Sequence, residues 1–119
     1  QFGWLRVLDL TRPGFPEVAL LSAGVVAYHS ALFSPDDQRL VTGSSGKTAI
    51  MFWDANSFEP LLVLPGEGSI VRDAAFSPDG NTLGATSGTG GSGALTFWRA
   101  PSWAEIEKTE AAERLGAKP

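Results

Sequence analysis

Two glycine-rich stretches of this chain have spacings close to those of nucleotide-binding loops. The stretch Gly88–Gly93 matches the pattern G-x-G-x-x-G, in which a helix after the last glycine binds a pyrophosphate. Here the apolar segment Ala94–Trp98 follows, which repeats an earlier strand-like segment. Gly46-Lys-Thr48 has the end of a phosphate-binding P-loop, but Val41 stands where that motif needs its first glycine. Both stretches are therefore interpreted as hairpin loops, and no cofactor is predicted.

The ionisable residues give no catalytic or metal-binding set. The chain has one histidine, His29, and no cysteine, so neither a multi-histidine nor a thiolate metal site is predicted. Asp36, Asp37 and Asp79 could be read as paired carboxylates for acid–base chemistry. They follow Ser-Pro steps, however, and in such turns Asp accepts backbone hydrogen bonds. The sequence thus predicts no catalytic residue and no metal ligand.

Regular repetition is the main signal in the chain. The segment Thr48–Asp54 ends in Phe-Trp-Asp, returns as Ala94–Arg99, and has a fainter copy at Trp4–Asp9. Leu8, Trp53 and Trp98 are spaced 45 residues apart. The turn Phe33–Asp37 returns 43 residues later as Phe76–Gly80, so the second copy has two extra residues, interpreted as a longer loop at 87–93. A period of roughly 40–45 residues built from strands and turns is typical of stacked sheets.

The order Phe-Ser-Pro-Asp-Gly, apolar strand, turn, and strand ending in Phe-Trp-Asp resembles the WD40 repeat. The resemblance implies a β-propeller, whose blades are four-stranded sheets around a central channel. The fold class predicted is all-β: a partial WD40-like propeller of about two to two and a half blades with a short C-terminal helix. The residues that carry the structural signature are Trp53, Asp54, Trp98, Ser34, Pro35, Asp36, Ser77, Pro78, Asp79 and Gly80.

The chain also departs from the family pattern. Gly66-Glu67 stands where Gly-His is frequent, and no Asp matches the one usually found before the third strand. The familiar His–Asp hydrogen-bond network inside a blade is therefore expected to be absent. Arg99 replaces the Asp of the Trp-Asp pair in the last repeat, and Leu8 replaces the Trp in the first.

The repeats divide the chain into four parts with nine strands. Residues 1–24 are predicted to hold the outer two strands of one blade, 25–68 a complete blade, 69–101 a last blade without its outer strand, and 102–119 a helix and tail. Ser102 and Glu105 have capping-box spacing, and residues 103–115 are rich in helix formers. Trp103 and Ile106 are expected to dock this helix, with Leu115 a further candidate.

Charge and hydropathy limit the classes of partner that the chain is expected to bind. The net charge is −4, and no Lys/Arg cluster is present, so binding to nucleic acid or anionic lipid is not expected. No apolar run approaches the roughly 20 residues that span a bilayer. The last blade of a WD40 propeller is commonly closed by an N-terminal strand of the same chain. By that resemblance we expect a C-terminal part of a larger propeller, whose remaining blades belong to the same parent chain or to another.

The resemblance points to a non-catalytic protein–protein interaction scaffold. His29 and Arg72 occupy the same place in successive innermost strands, near the channel mouth in this family. They are the candidate contacts to a protein or peptide, with ordinary polar positions beside the channel as the alternative. Two other hypotheses stay open. One is the propeller of a multidomain, kinase-like signalling enzyme of the bacterial type, and the other is a structural subunit that completes a propeller in trans.

Overall fold

A computed structural model describes residues 3–22, 27–45, 50–64, 70–89, 92–101 and 103–116. Within these ranges the chain forms nine strands followed by one helix. The elements are β1 (Leu5–Leu8), β2 (Glu17–Leu21), β3 (Tyr28–Phe33), β4 (Arg39–Ser44), β5 (Ile50–Asp54), β6 (Pro60–Leu64), β7 (Val71–Phe76), β8 (Thr82–Thr89), β9 (Ser92–Arg99) and α1 (Trp103–Gly116).

The strands form three antiparallel sheets in which neighbouring strands are also consecutive in the chain. Sheet 1 is β1-β2, sheet 2 is β3-β4-β5-β6, and sheet 3 is β7-β8-β9. Each predicted strand lies within a few residues of an observed one. Strands β3 and β7, the first strands of sheets 2 and 3, contact each other, so the first strands of these two sheets are neighbours.

The two middle strands of sheet 2, β4 and β5, are buried on both faces, and this makes them the centre of the structure. We call the face of a sheet turned toward the preceding sheet its leading face, and the opposite face its trailing face. The leading face of sheet 2 consists of Leu40, Thr42, Met51 and Trp53, and its trailing face of Val41, Ile50 and Phe52. Alternate residues of β4 and β5 point to opposite faces, so two apolar faces require a continuous apolar run.

Each face of sheet 2 packs against a neighbouring sheet. The apolar residues of its leading face pack against the trailing face of sheet 1, which consists of Leu5, Val7, Ala19 and Leu21. Its trailing face packs against the leading face of sheet 3, which consists of Val71, Leu83, Ala85 and Trp98. Phe52 also meets Phe76 edge to face, with ring centroids 6.3 Å apart. Burial of these apolar side chains is the main stabilising contribution to the stack.

The Ser-Pro-Asp turn between the first two strands of sheet 2 is closed by its own side chains. Ser34 Oγ donates to Asp36 Oδ1 at 2.6 Å and accepts from the Arg39 amide at 3.0 Å. Asp36 Oδ1 also accepts from the Gln38 amide at 3.0 Å. The turn therefore satisfies backbone donors that the hairpin leaves unpaired.

The same turn is repeated in sheet 3. Ser77 Oγ donates to Asp79 Oδ1 at 2.6 Å, and the Thr82 amide donates to Ser77 Oγ at 3.1 Å. The position after the aspartate has a positive φ in both sheets, 59° at Asp37 and 77° at Gly80. This left-handed conformation suits glycine and is tolerated by aspartate.

The prediction of a longer loop at residues 87–93 is wrong. β8 continues to Thr89 and β9 starts at Ser92, with Gly88 paired to Gly93 and Thr89 to Ser92. Glycine disfavours strands on its own, but the antiparallel ladder extends through Gly88 and Gly93. The two extra residues of this repeat thus accompany longer paired strands, and residues 90 and 91 lie outside the described ranges.

Helix α1 ends the described chain and is joined to sheet 3 by an ion pair. Both terminal nitrogens of Arg99 lie 3.2 Å from the carboxylate oxygens of Glu105, in the first turn of the helix. Ile106 is half-buried, whereas Leu115 is exposed, so docking through Leu115 is wrong. Ser102 and the Trp103 side chain lie outside what the structure describes.

We predict that Gly80→Ala lowers the free energy of unfolding by about 1–2 kcal/mol, because a Cβ is strained at positive φ. The nearest atom to that Cβ, Pro35 Cδ at 3.5 Å, leaves room for it, so the cost is conformational. The matched variant Asp37→Gly, at the same turn position of sheet 2, should change stability by less than about 1 kcal/mol. Urea unfolding measures both, and equal effects of the two variants would contradict this account.

Candidate functional site

His29 and Arg72 each occupy a β-bulge at the start of the first strand of their sheet. In sheet 2, Tyr28 pairs with Ser44 and Ser30 with Gly43, so His29 is an extra residue without a cross-strand partner. In sheet 3, Val71 pairs with Ser87 and Asp73 with Thr86, which leaves Arg72 in the same position. Bulges often redirect a side chain next to a functional site. Both side chains are exposed.

The two bulged residues lie on strands that contact each other, β3 and β7. The histidine ring can donate or accept a hydrogen bond, and the guanidinium of Arg72 offers a planar set of donors suited to carboxylate. Asp73 follows directly, and its Oδ1 accepts from the Ala74 amide at 3.0 Å. This edge of the stack therefore presents exposed donors that are able to pair with carbonyl or carboxylate oxygens.

Trp53 is held by a hydrogen bond within its own sheet. Its indole Nε1 donates to Thr42 Oγ1 at 3.0 Å, and both residues are buried. The next residue, Asp54, closes the turn into β6, because its Oδ1 accepts from the amides of Asn56 at 2.8 Å and Ser57 at 2.9 Å. The Trp-Asp pair thus connects a packed interior to a closed turn.

The last repeat lacks both of these contacts. Ala85 stands where sheet 2 has Thr42, so this position offers Trp98 no hydroxyl acceptor. Arg99 stands where sheet 2 has Asp54, and it pairs with Glu105 of the helix. Trp98 still packs in the interface between sheets 2 and 3, so packing persists where the polar contacts are lost.

The turn aspartates have pKa values below that of a free aspartate because they accept hydrogen bonds in the folded chain. The Ser34 hydroxyl and then the Gln38 amide lower the pKa of Asp36. The Ser77 hydroxyl and the Asn81 amide do the same for the pKa of Asp79. Backbone amides of Ser57 and Asn56 lower the pKa of Asp54, and Thr11 lowers that of Asp9. These carboxylates belong to turns, where they accept hydrogen bonds from nearby hydroxyls and backbone amides.

The structure supports no ligand-binding role for the remaining sequence motifs that it describes. A strand follows Gly93, so the helix that a dinucleotide fingerprint requires is replaced by β9. Gly46-Lys-Thr48 lies outside the described residues. Within the described ranges, no cluster of three or more His, Asp or Glu side chains could hold a metal ion. No described helix is long and apolar enough to cross a bilayer.

The family model for the WD domain, G-beta repeat (WD40) matches residues 22–54 and 58–99, together more than half of the chain. The chain belongs to the WD40 repeat family. A comparison with curated proteins found no match. The predicted fold class is confirmed: three antiparallel sheets and a C-terminal helix form a partial WD40-like propeller. WD40 repeats generally mediate protein–protein interaction.

Two features of this WD40 chain were not predicted from its sequence. The bulges at His29 and Arg72 have one faint signal, the consecutive polar residues Arg72-Asp73 inside an otherwise apolar strand. The bond from Trp53 to Thr42 has none, because it depends on the exact register of β4 and β5. The sequence predicts that the His–Asp network is absent and gives no indication of this bond, which is a buried polar contact inside sheet 2.

We predict that Thr42→Val lowers the free energy of unfolding by about 1–3 kcal/mol, the typical cost of a buried donor left unpaired. Valine has nearly the shape of threonine, so the change isolates the hydroxyl. In a Trp53→Phe background the same substitution should cost much less, because no indole N–H remains. Denaturant unfolding of the four chains gives the coupling energy, and a value near zero would show that the bond contributes nothing.

We predict that stability falls as the pH drops below about 4. The folded pKa values of Asp9, Asp36, Asp54 and Asp79 are lowered, so their contribution is complete above the unfolded value near 3.9. It is lost as the pH falls through the folded values. Urea midpoints between pH 7 and pH 2 measure this.

The matched test of the pH effect removes the hydroxyls that contribute most at two of these sites. Ser34→Ala with Ser77→Ala should give a smaller loss of stability between pH 5 and pH 2 than the parent chain. Ser22→Ala, at an exposed serine outside the turns, should leave the pH profile unchanged. A double variant with the parent's profile would contradict the assignment.

Proposed function

We propose that this WD40 chain is a non-catalytic scaffold that binds a protein or peptide at the edge carrying His29 and Arg72. The observation that carries the proposal is the repeated β-bulge, which exposes both side chains at the start of adjacent strands. A bulge interrupts the hydrogen-bond ladder. The bulge occurs at the same place in two successive sheets, which supports a shared binding role for the two positions.

The chemistry of this edge favours a ligand with carbonyl or carboxylate oxygens. Arg72 offers a planar cation and His29 offers a donor and an acceptor. The sheets behind them are packed face to face, so the two groups are held on a rigid base. A peptide with an acidic residue fits these donors best, since the guanidinium can bind a carboxylate through two parallel hydrogen bonds.

We also propose that further propeller sheets accompany those described here. Residues 25–68 serve as a complete blade and 69–101 as a blade whose outer strand comes from elsewhere. The support is the state of the outermost faces: Leu8 on sheet 1 and Phe97 on sheet 3 are exposed, although the equivalent positions of sheet 2 are largely buried. Repeat architectures need neighbours to cover such faces.

The binding role is tested with peptides selected from a randomised display library on the parent chain. We predict that His29→Ala with Arg72→Ala weakens binding of the selected peptides at least tenfold, because both donors are lost. Fluorescence anisotropy gives the Kd. Circular dichroism and the urea midpoint should match the parent, since both side chains are exposed and removing them leaves the core intact.

A charge-matched control separates local contact from general attraction. Arg12→Ala removes the same charge at an exposed residue of the turn between β1 and β2. Its binding should equal that of the parent chain. Unchanged affinity in the His29/Arg72 variant, or an equal loss in the Arg12 variant, would refute the assignment of the site.

A further inference from the structure

The two interfaces inside the chain have the same polarity. At each one, a leading face of the later sheet packs on a trailing face of the earlier sheet. Trp53 of sheet 2 packs in the interface with sheet 1, and Trp98 of sheet 3 in the interface with sheet 2. A contact of this kind joins two different surfaces, so it can be repeated indefinitely.

Sheet 3 carries a third copy of the trailing surface, and it is uncovered. Counted by the 45-residue repeat, Leu95 and Phe97 take the places of Ile50 and Phe52. Ile50 is 1% exposed, whereas Leu95 is 61% and Phe97 65% exposed. Helix α1 leaves this face open, because these values hold with the helix in place.

The trailing face of sheet 3 is also shaped as a groove. Gly84 stands where sheet 2 has Val41, and a Cβ there would lie 3.1 Å from the Phe97 ring. The Phe97 ring therefore lies over the glycine, beside a groove of about 440 Å³ lined by Ala75, Leu95 and Phe97 among others. An apolar side chain from a neighbouring sheet would fill this space.

The chain carries an open leading face as well. On sheet 1 this face consists of Arg6, Leu8 and Leu20, with Leu8 at the repeat position of Trp53. Leu8 is 41% and Leu20 48% exposed, and Arg6 is paired with Glu17 at 2.8 Å. The described chain thus leaves one trailing face and one leading face open. In the repeat, Leu8 and Phe97 hold the positions of Trp53 and Phe52, which pack in the two internal interfaces.

We propose that the trailing face of sheet 3 (Gly84, Leu95 and Phe97) docks the leading face of sheet 1 (Arg6, Leu8 and Leu20) of a second copy of this chain. The argument is continuity with the two internal interfaces. The copies stack face to face and share no sheet, so the second copy does not supply the outer strand proposed for sheet 3. This inference rests on the proposed function in one respect, that further sheets cover the open faces, and it names a second copy of the chain as their source.

The test breaks one face at a time. Phe97→Asp disables the trailing face and Leu8→Asp the leading face. Since both side chains are exposed, the core should be kept, which circular dichroism checks. In light scattering after size exclusion, the mass of the parent chain should exceed the monomer mass of 12.5 kDa. This mass should rise as the protein concentration is raised. Each variant alone should stay at the monomer mass.

Mixing the two variants gives the decisive result. Each retains one intact, complementary face, so the mixture should form a one-to-one dimer with twice the chain mass and stop there. Leu61→Asp, at an exposed leucine of β6 outside both faces, should assemble like the parent. It controls for general stickiness.

Three outcomes would overturn the proposal. They are a parent chain that stays monomeric at its highest soluble concentration, a Leu8→Asp variant that still self-associates, and a mixture that remains monomeric. The second would mean that trailing faces pair with each other. None of these results affects the peptide binding of His29 and Arg72, so failure here is distinguishable from failure of the binding site.

Discussion

The constraint on which the rest of the structure depends is that sheet 2 must be covered on both faces. Its central strands place Met51 and Trp53 on one side and Val41 and Ile50 on the other, all buried. A lone sheet with two apolar faces would leave both in water, at a cost of roughly 25 cal/mol per Å² of apolar area. Sheets 1 and 3 are therefore requirements of the sequence of β4 and β5, and they fix the stacking that aligns β3 with β7.

The stacked arrangement also gives the interface residues and the bulged residues different roles. Apolar side chains of the middle strands, which point alternately to the two faces, hold the sheets together. The bulged residues at the start of the first strands have no cross-strand partner. His29 and Arg72 can therefore vary in chemistry without disturbing a cross-strand pair, because neither has one. This arrangement allows one sheet framework to carry different residues at the bulges, and fold alone does not define a partner.

The repeat made most of the fold predictable, since each strand could be located by its copy. The helix predicted at 103–115 ends within one residue of the observed helix. The pairing of Gly88 with Gly93 was not predictable, because glycine carries no side-chain pattern and the ladder alone holds it. Of the candidate site, the positions of His29 and Arg72 followed from the repeat. Their bulges did not, because a bulge depends on the register of two strands and the sequence shows only one at a time.

The substitution of one turn residue accounts for the different path of the chain at its last repeat. Asp9 and Asp54 hold equivalent positions, and the amide of each donates to a carbonyl across its turn at 2.9 Å, from Pro16 and Glu59 respectively. Their carboxylates accept from the amides that follow, which turns the chain back into a paired strand. Arg99 has no acceptor to offer those amides. It binds Glu105 instead, the chain continues into helix α1, and within the described residues β9 pairs with β8 alone. An exposed ion pair contributes little stability by itself; its effect here is on direction, because a donor replaces an acceptor at the point where the chain would otherwise turn.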